Sequence, residues 1–170
     1  MSIKWLGVIF VVGSCAGVGF SAAMSYERQE KILYQLLHVL NYMACELQYR
    51  LLPLPELCRQ ASGECGGTVR SVLAALAEEL ERQIEPDVPS CMQRAIHTVP
   101  MPSRIIRRLF LMLGRSLGRF DLPGQIRGLE EVSAACEREL KTLAQQKQNA
   151  IRSYRTLGIC AGVALAIILL

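Results

Sequence analysis

Charged residues are missing from a long stretch near each end of the chain. Residues 5–24 form a run of 20, and residues 157–170 a run of 14, without Asp, Glu, Lys or Arg. Because a helix rises about 1.5 Å per residue, the first run reaches roughly 30 Å and crosses a bilayer core, whereas the second reaches roughly 21 Å. The second run spans the bilayer core if Arg152, Tyr154 and Arg155 lie at the membrane–water interface and the bilayer thins locally. We predict transmembrane helices at residues 1–24 and 157–170, with core burial as the alternative for the second.

A cleaved secretory signal is the competing interpretation of the first run, because residues 21–23 form a passable small-residue cleavage site. Only Lys4 precedes the run, however, and the run is long for a signal peptide. Small residues also recur every four positions in both runs, a spacing that lets helix backbones approach closely in lipid, although glycine is common in such helices anyway. The predicted membrane packing positions are Gly13, Gly17, Ser21, Gly158 and Gly162.

Basic residues predict that the segment between the two runs faces the cytoplasm, because Lys and Arg near membrane ends are retained there. Arg28 and Lys31 follow the first run, and five further basic residues precede the second: Arg138, Lys141, Lys147, Arg152 and Arg155. The segment also holds five cysteines at irregular spacing, which suits a reducing compartment in which each thiol is a buried apolar group. Residues 25–156 are therefore expected to form a cytoplasmic domain.

Within this domain, helix patterns alternate with breaks, and no strand pattern competes. Leu33, Leu37, Leu40, Ala44, Leu47 and Leu51 are spaced by steps of four and three, which predicts a helix from about residue 27 to 52. Prolines and glycines divide the remainder of the domain into helices near 55–61, 68–84, 90–97 and 103–120, and one from 125 into the second apolar run. Thr68, Ser103 and Asp121 are the expected N-caps. The predicted fold is all-α, a bundle of about six helices between the two transmembrane helices.

The helix predicted over residues 103–120 separates an apolar face from a basic one. At about 100° per residue, its large apolar residues share one side, and Arg107 lies at the edge of the other. An all-arginine stripe suits an acidic partner or anionic headgroups, whereas a solvated face that keeps the domain soluble is the alternative. The apolar side holds Ile106, Leu109, Phe110, Leu113, Leu117 and Phe120, and the basic side holds Arg104, Arg108, Arg115 and Arg119.

The sequence lacks the motifs of phosphate-binding, metal-binding and redox sites. The glycines of residues 63–68 lack the lysine of a phosphate-binding loop, His38 and His97 lie far apart, and no two cysteines have the two-residue gap of a zinc or redox site. A net charge of +4 and an arginine stripe without aromatic residues argue against nucleic acid. We expect no enzyme activity, no catalytic residues, no cofactor and no metal, and a scaffold or adaptor at a membrane.

Three blocks of sequence, taken in order, are characteristic of one family. The first runs from Leu36-Leu37 through Glu46-Leu47 and Tyr49 to Leu52-Pro53-Leu54-Pro55-Glu56-Leu57. The second is Leu117-Gly118-Arg119-Phe120-Asp121 followed by Gln125 and Leu129. The third is Tyr154-Arg155-Thr156-Leu157-Gly158 with Gly162 and the apolar terminus. With these blocks the chain resembles the stage III sporulation protein AB family of endospore-forming bacteria. The resemblance covers nearly the whole chain and includes no catalytic motif.

The resemblance implies a cytosolic bundle similar to the cytoplasmic domain of the type II secretion inner-membrane platform protein. Such a protein lies in the mother-cell membrane around the forespore and contributes to a secretion-like channel between the compartments. The implied partners are a secretion-type ATPase, stage III sporulation protein AA, other channel components and the bilayer, with homo-oligomerisation left open.

Two surfaces are hypothesised to dock this ATPase. One is the arginine stripe, and the other is the proline-rich turn with Pro53, Pro55 and Glu56. The alternative function is an adaptor on anionic lipid, unrelated to a secretion motor.

Overall fold

The computed structural model describes the backbone of residues 2–50, 52–82, 87–118 and 121–169, and the side chains of 24–50, 52–82, 87–118 and 121–149. These residues form six helices and no strand, which confirms the all-α prediction. The helices are α1 (Ser2–Tyr49), α2 (Leu54–Gly63), α3 (Gly67–Arg82), α4 (Val88–Thr98), α5 (Arg104–Leu117) and α6 (Leu122–Leu169).

Local sequence signals explain most of the helix ends. Pro53 is the N-cap of α2, and the Asp87 carboxylate accepts a hydrogen bond from the Ser90 amide at the start of α4. Asp121 caps α6 as predicted, because its carboxylate accepts from the Gly124 amide at 2.9 Å. The predicted cap at Thr68 is wrong. Helix α3 begins one residue earlier, at Gly67, whose φ of +56° is a conformation that suits glycine.

The chain begins and ends in two helices of 48 residues each. The helix predicted to start near residue 27 is continuous with the one predicted over the first apolar run, because no proline or glycine lies between residues 20 and 52. The uninterrupted course of α6 from the turn at residue 121 confirms the prediction for the last helix. The chain divides into two compact units, one of Gln29–Leu140 and one of Met1–Arg28 with Lys141–Leu170.

Among the described residues, no helix has the length and apolar character needed to cross a membrane. The side chains of residues 5–23 and 157–170, which carry the predicted transmembrane helices, lie outside the description. The transmembrane helices, their orientation and the domain limits at residues 24 and 157 therefore stay predictions.

A continuous core holds the Gln29–Leu140 unit together. In α1 the buried seam is Leu33, Leu36, Leu40, Met43 and Leu47. The predicted Leu33, Leu40 and Leu47 are buried, but Leu37 and Ala44 are only half-buried, and Leu36 and Met43 take their places in the seam. The predicted Leu51 lies outside the described residues. All the other helices add buried apolar residues to this core, and α3 and α5 contribute five each: Val69, Val72, Leu73, Leu76, Ala77, Ile106, Leu109, Phe110, Leu113 and Leu117.

Glycines bring the helices close at two crossings. A Cβ added to Gly114 of α5 would lie 2.6 Å from the Cβ of Met92 in α4. A Cβ added to Gly128 of α6 would lie 2.7 Å from the Cβ of Ser116 in α5. Because a Cβ atom cannot move without its own backbone, any side chain at either glycine would push the helices apart.

The described cysteines differ in exposure. Cys58, Cys91 and Cys136 are buried, Cys65 is half-buried, and Cys45 is exposed, which corrects the expectation that every thiol is buried. Burial raises the pKa of the Cys58 thiol to about 12. Burial, with the nearby Glu139 carboxylate, raises the pKa of Cys136 to about 12. The exposed Cys45 is therefore the thiol suited to chemical labelling.

We predict that Gly114→Ala lowers the free energy of unfolding by about 1–3 kcal/mol, because the new methyl group overpacks the contact with Met92. Gly63→Ala is the matched control, since nothing lies within 4 Å of its added Cβ, and it should change stability by less than about 1 kcal/mol. Urea unfolding of the full chain in detergent, followed by circular dichroism, measures both. Equal stability of the two variants would contradict the packing of α4 on α5.

Thiol labelling tests the exposure of the cysteines in a full chain with Cys15 and Cys160 replaced by serine. A maleimide should modify Cys45 within minutes and leave Cys58 and Cys136 unmodified at pH 7. Raising the pH to 9 should still spare both buried thiols, because the thiolate is the reactive form and their pKa values are near 12. Mass spectrometry of the labelled peptides reads this out, and rapid labelling of Cys58 in the folded chain would refute the burial.

Candidate docking surface

Helix α5 is ordered by its cap and by its apolar face. The Ser103 hydroxyl accepts a hydrogen bond from the Ile106 amide at 3.3 Å, which satisfies a donor that the first helical turn leaves unpaired. The predicted apolar positions from Ile106 to Leu117 are buried, each at most 2% exposed. Phe120, also predicted for this face, lies outside the described residues. Burial of this side turns the opposite side of α5 outward.

Arg104, Arg108 and Arg115 lie on that outward side and are exposed. At 3.6 residues per turn they fall within about 40° of one another around the helix. Arg119, predicted for the same stripe, lies outside the described residues. We call Arg104, Arg108 and Arg115, together with the apolar Ile105 and Met112 beside them, the arginine face.

These arginines lack an acidic partner, whereas several arginines of the other helices have one. Arg50 lies 3.5 Å from Glu46, Arg82 lies 3.2 Å from Glu79, and Arg94 lies 3.8 Å from Glu79. Arg59 is paired with Glu81. Within the described part of the chain, none of the three arginines of the arginine face has an ion pair, and the sequence of α5 includes no Asp or Glu.

The position of the arginines along α5 adds to this excess of positive charge. Arg104, Arg107 and Arg108 lie in the first turns, where the helix dipole already places partial positive charge and where no acidic residue is present. The Arg107 guanidinium lies 3.3 Å from Nε2 of His97, and an imidazole ring supplies no negative charge. The local electrostatics therefore favour an external anion at this end of the helix.

Apolar side chains border the arginines. Ile105 is 38% exposed, and Leu111 and Met112 are half-buried. Arg and Met are both enriched at protein interfaces. An exposed apolar side chain beside a guanidinium group can contact the same partner surface as the charge does. The arginine face thus offers both charge and apolar contact.

The proline-rich turn is more involved in the fold itself. Pro53 is exposed, whereas Pro55 and Glu56 are half-buried. The Glu56 carboxylate accepts a hydrogen bond from the Gln60 amide at 2.8 Å, and the Tyr42 hydroxyl donates to Gln60 at 3.4 Å. Burial, then the Glu46 carboxylate, raises the pKa of Tyr42, so its hydroxyl stays protonated and able to donate. The carboxylate of the turn therefore helps to join α1 and α2.

A second surface lies between α1 and α6 within the Gln29–Leu140 unit, and the sequence analysis missed it. It is an open groove of about 220 Å³ lined by Leu40, Asn41, Ala44, Leu129, Glu130, Ser133, Ala134 and Glu137. Its two carboxylates are exposed and lie seven residues apart with small residues between them. The seven-residue spacing of the two glutamates can be read from the sequence, but the packing of α1 beside them cannot. We call this surface the acidic groove.

The remaining predicted site residues lie elsewhere. The packing positions Gly13, Gly17, Ser21, Gly158 and Gly162 belong to the parts of α1 and α6 whose side chains are outside the description. Among the described residues, no group of three or more His, Cys, Asp or Glu side chains could hold a metal ion.

Comparisons with known proteins agree on one family. The family model described as stage III sporulation protein AB matches residues 4–170. A solved structure described as Stage III sporulation protein AB (SpoIIIAB) shares the fold with a TM-score of 0.58 and 17% identity, covering 71% of this chain and 94% of that one. No curated protein matches the sequence significantly. Because the family match extends over almost the full length, the chain belongs to the stage III sporulation protein AB family.

Proposed function

We propose that this chain is a non-enzymatic membrane scaffold that holds a secretion-type ATPase, stage III sporulation protein AA, at a secretion-like channel between mother cell and forespore. The observation that carries the proposal is the set of exposed arginines on α5 that lack acidic partners in the described part of the chain. The sporulation family supplies the biological setting.

An acidic surface on the ATPase is the partner chemistry that fits the arginine face. Guanidinium groups bind carboxylates through two parallel N–H donors, and complementary charge at an interface speeds association and selects the partner. Ile105 and Met112 add apolar area beside the charges. These features favour the arginine face over the proline-rich turn, whose Glu56 is engaged by Gln60.

The long terminal helices supply the second part of the proposal. The apolar runs at 5–24 and 157–170 belong to α1 and α6, and both helices continue into the unit that contains α5. An anchor at these runs would therefore keep the unit that contains α5 attached to the membrane. The proposed location is the mother-cell membrane around the forespore, with α5 on the mother-cell cytoplasmic side.

Charge reversal tests the docking step. The full-length variant Arg108→Glu/Arg115→Glu should bind purified ATPase about tenfold more weakly or worse, because two attractive contacts become repulsive. The control Lys31→Glu/Arg70→Glu makes the same charge change at exposed positions of α1 and α3 and should bind as the wild type does. Affinity is measured with the chain in nanodiscs, and circular dichroism verifies the helix content. Equal binding by both variants would refute docking on the arginine face.

Lipid composition separates this function from an anionic-lipid adaptor. An environment-sensitive dye on a cysteine introduced by Met112→Cys, in a chain with Cys45 replaced by serine, reports what covers the arginine face. We expect the same emission in nanodiscs of neutral and of anionic lipid. A blue shift that appears only with anionic lipid and disappears at high salt would favour the lipid adaptor instead.

Topology is tested with Cys45, the exposed thiol. In a chain with Cys15 and Cys160 replaced by serine, a membrane-impermeant maleimide should label Cys45 only after the cells are opened. Labelling in intact cells would place the described unit outside the cytoplasm and would contradict the proposed location.

A further inference from the structure

The acidic groove has no described ion pair to neutralise it. Glu130 and Glu137 are exposed on one side of α6, and no lysine or arginine lines the groove. Neither carboxylate has an ion pair within the described residues. Leu40 and Leu129 are buried, and the small side chains of Ala44, Ser133 and Ala134 leave the middle of the groove open. The groove therefore presents two separated negative charges with room for an apolar side chain between them.

The arginine face has the matching pattern. Arg108 and Arg115 are seven residues apart on α5, as Glu130 and Glu137 are on α6. Seven helical residues correspond to about 10.5 Å along the axis and about 20° around it, so the two charge pairs have the same spacing and the same angular offset. Opposite charges can thus meet at both ends of one helix-to-helix contact.

The residues between the charges are complementary in size. Leu111 and Met112 lie three and four residues after Arg108, and Ser133 and Ala134 lie three and four residues after Glu130. Large apolar side chains on one helix therefore face small ones on the other, which is the arrangement of ridges packed into grooves. Each helix fits the other in charge and in shape.

From this match we infer that the arginine face of one copy binds the acidic groove of a second copy. The contact is heterologous, since two different surfaces of the same chain meet, and repetition of such a contact builds a ring or an open filament. It shares the arginine face with the proposed ATPase dock but does not depend on that function. Copies of the chain and the ATPase compete for Arg108 and Arg115.

A charge swap tests the contact with full-length chains in detergent that carry two different tags. Arg108→Glu/Arg115→Glu and Glu130→Arg/Glu137→Arg should each reduce self-capture about tenfold or more, because each places like charges opposite one another. A mixture of the two variants should regain wild-type capture, since every opposing pair is again complementary. Glu131→Arg, an exposed neighbour outside the groove, is the control and should capture as the wild type does.

Two results would overturn the inference. One is undiminished self-capture by both double variants, and the other is a mixture that stays dissociated although both variants keep the wild-type helix content. ATPase binding by Glu130→Arg/Glu137→Arg reports separately on the proposed function, because the substituted residues lie outside the arginine face.

Cross-linking locates the contact independently. Met112→Cys is placed on one tagged chain and Ala134→Cys on the other, in a background with Cys15, Cys45 and Cys160 replaced by serine. Both positions lie mid-way between the paired charges, so they should form a disulfide between copies whether the helices run parallel or antiparallel. Ser71→Cys, exposed on α3, replaces Ala134→Cys in the control and should give no cross-link. Cross-linking to Ser71→Cys as strong as to Ala134→Cys would contradict the inferred contact.

Discussion

Burial of one side of α5 is the constraint on which the arginine face depends. Phe110 and Leu113 are fully buried, and Gly114 lets α5 approach α4 at a distance that no side chain would allow. Gly128 does the same between α5 and α6. Since these contacts fix the rotation of α5 about its axis, Arg104, Arg108 and Arg115 are held on the outward side. The apolar packing thereby determines where the positive charge is displayed.

The arginines near the start of α5 are electrostatically unfavourable for the helix by itself. Positive charge near the first turn opposes the helix dipole, and no acidic residue of α5 relieves it. Elsewhere in the described unit, four arginines are paired with glutamates: Arg50, Arg59, Arg82 and Arg94. A helix that keeps unpaired arginines in this setting is better explained by binding than by stability. The acidic groove on the same unit adds a surface of opposite charge with the same spacing.

Local features of the fold could be predicted from the sequence, whereas long-range ones could not. The caps at Ser103 and Asp121 and the buried side of α5 depend on residues close together in the chain, and these predictions are confirmed. The seam of α1 lies at Leu36 and Met43 instead of the neighbouring Leu37 and Ala44, because steps of three and four fit either set on a helix of 3.6 residues per turn. The acidic groove joins residues 40–44 to residues 129–137, which no local pattern connects.

The salt dependence of ATPase binding to the full chain in nanodiscs is the most direct test of docking through the arginine face. The account predicts an affinity that falls steadily as salt rises from about 0.1 M to 1 M, because the screening length shortens from about 10 Å to about 3 Å. The Arg108→Glu/Arg115→Glu variant should lose most of that dependence. An affinity that is the same at both salt concentrations in the wild-type chain would contradict the account.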